Sequence, residues 1–142
     1  MFAPAKVSTG SVWGTDDGVE ICIAGRTPDG KLATFVVRGY AGGAVQSATD
    51  AGAPEEAAAR LGKEVRFAAK LTQGSGDTLR GWRGEWAIPF AALGLKPEPG
   101  LKVAFNMSAF CSEFAEWHCW EGTLAESWRL DQAGTLQLVH RE

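Results

Sequence analysis

No stretch of this sequence approaches the roughly 20 consecutive apolar residues that cross a bilayer as a helix. Its opening, Met1-Phe2-Ala3-Pro4-Ala5-Lys6, lacks the charged start and apolar run of a secretory signal. Cations are scarce too: 14 Lys and Arg stand against 17 Asp and Glu, a net charge of −3. The basic surface that nucleic acid or an anionic membrane demands is therefore missing, and neither is expected as a partner. Three cysteines (Cys22, Cys111, Cys119) leave at least one thiol unpaired, which excludes a disulfide-dense scaffold. One Cys111–Cys119 bridge remains open. There are only two Met and one Tyr.

What is present is ordinary in bulk and unusual in detail. Hydrophobic residues at 45% and charged residues at 22% are globular values, and 142 residues suit a single domain with a real core. Six Trp are a large aromatic investment, and 18 Gly with six Pro signal many turns between short strands.

Along the chain, residues 1–12 show no periodicity and read as an arm or a residual strand. From Gly18, Val19, Ile21 and Ile23 alternate with Glu20, Cys22 and Ala24, the period of a strand. Pro28-Asp29-Gly30 is a turn, and Leu32 to Arg38 follows as its hairpin partner. A short strand is expected around Ala44–Ser47. Pro54-Glu55-Glu56 opens a helix of one or two turns closed by Gly62, or else an insertion. Lys63–Thr72 and Arg80–Ile88 alternate again around the Gln73–Asp77 loop and form a second hairpin. Pro89 to Gly94 is one helical turn, Leu101–Phe110 a strand and Thr135–Val139 a closing strand. Cys111–Asp131 has no clear period. The fold expected is all-β: an antiparallel β-sandwich of immunoglobulin or jelly-roll type, with one or two short helical turns.

Four segments in order carry a resemblance. They are Trp13-Gly14-Thr15-Asp16-Asp17-Gly18-Val19-Glu20-Ile21, Trp86-Ala87-Ile88-Pro89-Phe90-Ala91-Ala92-Leu93-Gly94, Gly100 to Asn106, and Trp120 followed by Gly134 to Leu138. Together they resemble the family 9 carbohydrate-binding modules, a β-sandwich family, over about residues 13–140. The resemblance implies non-catalytic binding of a mono- or oligosaccharide end between two Trp rings, here Trp13 and Trp120. It also implies that Glu20 and Arg38 hydrogen-bond sugar hydroxyls, joined by Asn106. Each has a plainer reading: core or interface Trp, a surface ion pair between strands, and a surface Asn. Where relatives carry a polar side chain after the Arg, this chain has Gly39-Tyr40. Members hold structural calcium, for which Asp16 and Asp17 are the candidate ligands; the same pair reads equally as two solvated acids in a turn. No cofactor is required for binding.

Relatives have further strands before the Trp13 segment. The resemblance thus implies a shortened domain, a fragment, or a form completed by a second copy through an unpaired sheet edge. It implies an extracellular or periplasmic parent protein that degrades polysaccharide or sits on a cell surface. An enzyme is not expected. Glu113 and Glu116 lack a facing acid across a cleft; His118 and Cys119 are adjacent without a third group. Haem ligation by Met107, His118 or His140 has no visible strand pairing behind it. The alternative function is a structural or protein-interaction β-sandwich without a sugar ligand.

Overall fold

The computed structural model describes residues 6–74, 79–123 and 126–139. The Gln73–Asp77 loop therefore lies partly outside the described residues, and His140 and residues 1–5 lie wholly outside them. The architecture is all-β and antiparallel, sandwich-like, with one helix and two 3-10 turns among the described residues.

The main sheet is built on β1 (Gly18–Arg26) and β2 (Leu32–Tyr40), joined by the Pro28–Gly30 turn in full register from Gly18↔Tyr40 to Arg26↔Leu32. β3 (Val45–Ala48) adds to the outside of β2. β6 (Lys102–Cys111) pairs with the other side of β1, and its own outer edge carries β7 (Glu116–Cys119) and then β8 (Gly134–Gln137). The second layer holds β4 (Arg66–Gln73) and β5 (Leu79–Ala87), which pair only with each other among the described residues.

Period-2 alternation decides what each face does. On one face of the main sheet, Ile21, Ile23, Phe35, Val37 and Val103 form the core with Leu61 and Ala57 of the helix α1 (Glu55–Glu64), Leu93 of the 3-10 turn Phe90–Leu93, and Trp86 of β5. The helix is longer than the sequence suggests. Gly62 lies inside it rather than closing it, because its bare Cα lets the helix approach Ser47, whose hydroxyl donates to the Ala58 carbonyl at 2.6 Å.

Register closes the question of a Cys111–Cys119 bridge. Cys119 pairs with Ser108, three residues along β6 from Cys111. That offset is roughly 10 Å and an odd number of residues, so the two thiols stand on opposite faces, beyond the ~7 Å Cα reach of a bridge. All three cysteines are free.

The hairpin rests on the main sheet through ring packing over one glycine. A Cβ on Gly39 would lie 2.6 Å from ring carbons of both Phe67 and Trp86. Gly39→Ala is therefore expected to destabilise the fold by about 1–3 kcal/mol through overpacking. Denaturant titration checks this, and an unchanged midpoint would mean the hairpin is not pressed against β2.

Candidate functional site

The other face of the main sheet is polar and aromatic. Glu20 stands at its centre, opposite Arg38 of β2 and Ser108 of β6. The alternation correctly puts Glu20 away from the core, but the side chain is 1% exposed rather than solvated. A carboxylate so buried must be paired and hydrogen-bonded. Arg38 Nε donates to Glu20 Oε2 at 2.7 Å, and the Ser127 hydroxyl donates to Oε1. The rest of the Arg38 guanidinium reaches Asp50. Cys22 Sγ lies 3.6 Å from Glu20 Oε1, and burial together with that carboxylate pushes its thiol pKa up to about 12.

Asn106 is also fully buried. Its Nδ2 donates to the carbonyls of Ser127 at 3.0 Å and Glu121 at 3.2 Å, and its Oδ1 accepts from the amides of Glu121 and Met107. One side-chain amide thus straps the loop after β7 to the sheet, using its whole bonding capacity. The strap delivers Ser127 onto Glu20 and holds Trp128 beside it. The Thr123 hydroxyl closes the loop's neck on the Glu126 carbonyl at 2.9 Å.

Trp13 sits on a turn set by Gly14 at φ 77° and by the Asp16 amide donating to the Val12 carbonyl. Its indole lies over the Arg38 guanidinium, 4.9 Å from Cζ to the ring centre. Its edge meets Trp117 at 5.0 Å and 71°. Trp117 in turn leans on Phe110 at 4.6 Å. Trp13, Trp117 and Trp128 wall a cavity of about 400 Å³. Its polar lining comes from Glu20, Ser108 and Ser127, and Cys119 and Glu126 add to the wall.

Trp120 does not join them. It follows β7 with its amide on the Met107 carbonyl, and its ring packs on Phe105 at 5.6 Å. Trp117 and Trp120 are three residues apart on an extended segment, so they point to opposite faces. The aromatic partner of Trp13 is Trp117, which the sequence reading passed over because Cys111–Asp131 showed no period. The alternation within Glu116-Trp117-His118-Cys119 was the available signal.

Asp16 and Asp17 are buried and engaged by the arm. Asp16 accepts from the Ser8 hydroxyl and the Val12 amide, and these two bonds hold its carboxyl below the usual aspartate range. Asp17 accepts from the Ser8 amide at 2.8 Å and the Ser112 hydroxyl. They fasten residues 6–12 to the sheet. Among the described residues no three His, Cys, Asp or Glu converge as a metal site. No helix there is long and apolar enough to cross a membrane. No protein-family model, curated protein or solved structure matches this chain.

Two outcomes follow from this geometry. Glu20→Ala leaves Arg38 with Asp50 alone and the buried Ser127 hydroxyl without its acceptor, and is expected to cost about 3 kcal/mol in a denaturant titration. A loss below about 1 kcal/mol would show a solvated surface pair instead. In thiol labelling of the folded protein at neutral pH, exposed Cys119 is expected to react, whereas Cys22 reacts only after denaturation. Early labelling of Cys22 would mean that the Glu20 cluster opens to solvent.

Proposed function

We propose that this chain is a non-catalytic carbohydrate-binding domain, with the sugar seated in the cavity walled by Trp13, Trp117 and Trp128. The observation that carries the reading is that cavity: indole rings from three separate segments converge on a pocket with a hydrogen-bonding lining. Aromatic faces meet the weakly apolar faces of a pyranose, and each such contact is worth roughly 1 kcal/mol beyond its buried area. The sequence resemblance to family 9 carbohydrate-binding modules supports the same class of ligand. It would place the domain as an accessory that concentrates a larger exported protein on its substrate.

The division of labour differs from the one the resemblance implies. Glu20 and Asn106 serve as framework beneath the pocket, since their bonds are directed inward. Ser108 and Glu126, both in the cavity wall, then bring side chains able to meet sugar hydroxyls. That same inward direction favours the second reading, an interaction domain that uses the sandwich without a sugar.

Calorimetry against neutral oligosaccharides, run after a glycan-array screen, separates the two. Trp117→Ala and Trp128→Ala are each expected to weaken binding about tenfold, on the scale of one lost ring contact. Trp120→Ala, on the far face, is expected to leave affinity unchanged. If no glycan binds the folded protein, the interaction-domain reading stands instead. Affinity lost in Trp120→Ala and kept in Trp117→Ala would move the site to the other face.

A further inference from the structure

The β4–β5 hairpin meets the main sheet at one end and stands away from it at the other. At the closed end Phe67 and Trp86 press on Gly39, where an added Cβ would lie 2.6 Å from both rings. Trp82 is four residues along β5 from Trp86 and on the same face, roughly 13 Å further on. There the sheet presents the row Val19, Ala109 and His118, paired in turn across β1, β6 and β7. Ala109 is short, and Gly81 beside Trp82 brings no side chain. The two layers part around a cavity of about 780 Å³, lined from β5 by Arg80, Gly81 and Trp82 and from the sheet by that row. Val7 of the arm and Phe114 of the turn before β7 complete its apolar wall. Protein cores seldom leave voids larger than a water molecule, and small-molecule sites are mostly apolar cavities of roughly 300–1,000 Å³ with a few polar groups.

The charged groups in the wall indicate what kind of molecule fits. Asp17 is 4% exposed and already accepts from Ser8 and Ser112. Glu116 faces His118, with its carboxylate 3.6 Å from Nε2. Arg80 differs from both: among the described residues no carboxylate pairs with it. It is also the extra residue of a bulge, since Gly81 pairs with Thr72 and Leu79 with Gln73. A bulge is a means of re-aiming one side chain out of a regular ladder. A guanidinium without a partner, in the wall of an apolar cavity, complements an anion, and its planar fork matches a carboxylate.

We propose that this interlayer cavity binds a small amphiphilic carboxylate, its apolar body between Trp82 and the Val19–Ala109 row and its carboxylate on Arg80. The site lies on the core side of the sheet, whereas the Trp13–Trp117–Trp128 cavity lies on the other. It does not depend on what that second cavity holds.

Calorimetry of the full chain with decanoate, and with decanol as the uncharged chain of equal length, tests this. Decanoate is expected to bind one to one and about tenfold more tightly than decanol, on the scale of a hydrogen bond to a charged group. Arg80→Gln brings decanoate to the level of decanol. Ala109→Trp fills the gap between the layers and abolishes binding of both. Should that chain fail to fold, thiol labelling of the wild type decides. Saturating decanoate slows alkylation of Cys111, which lines the cavity, and leaves Cys119 on the opposite face unchanged. A folded wild type that does not bind decanoate overturns the proposal. So does decanoate binding that a folded Ala109→Trp chain retains or that leaves Cys111 as reactive as before. Decanol bound as tightly as decanoate overturns the assignment of a carboxylate to Arg80.

Discussion

A carboxylate buried at the centre of a sheet governs much of this structure. Glu20 occupies an interior strand and lies 1% exposed beneath a later loop, so neither bulk water nor a sheet edge can solvate it. Every group around it answers that demand. Arg38 supplies the compensating charge, Asp50 balances the rest of the guanidinium, and Ser127 donates the second hydrogen bond. Asn106 exists in this scheme to bring Ser127 into place. Trp13 then seals the guanidinium from above. The aromatic cavity is thus the outer surface of a solution to an electrostatic problem, and its walls are as rigid as that solution.

The two faces of the main sheet carry separate tasks. One is largely apolar and carries the core of the domain. The other is a polar framework roofed by indoles.

The strands were legible because alternation needs only one face to be apolar, and both hairpins carry it along with their Gly and Pro turn residues. The same signal could not distinguish a solvated Glu20 from a buried one. Alternation reports the side a residue takes and is blind to what lies over that side, here a loop more than a hundred residues later. Trp117 went unnoticed beside Trp120 for a related reason. Both are exposed Trp in one segment, and only the pairing of β7 with β6 reveals which face each takes. α1 ran past Gly62 because tight packing on Ser47 outweighs the ~1 kcal/mol that glycine costs a helix.

The order of pairing in the main sheet also carries a kinetic meaning. β1 and β2 are joined by a tight turn and can zip early, but β1 meets β6 only after some eighty intervening residues, and Glu20 meets Ser127 across a separation of 107. Contacts this distant form late, since the entropy of closing so long a segment is lost before any of them is made. Until then the carboxylate remains hydrated, and the chain can hold its first hairpin without burying a charge. Closure of the Asn106 strap is therefore the step that commits the domain, dehydrating Glu20 and assembling the indole walls in one cooperative event.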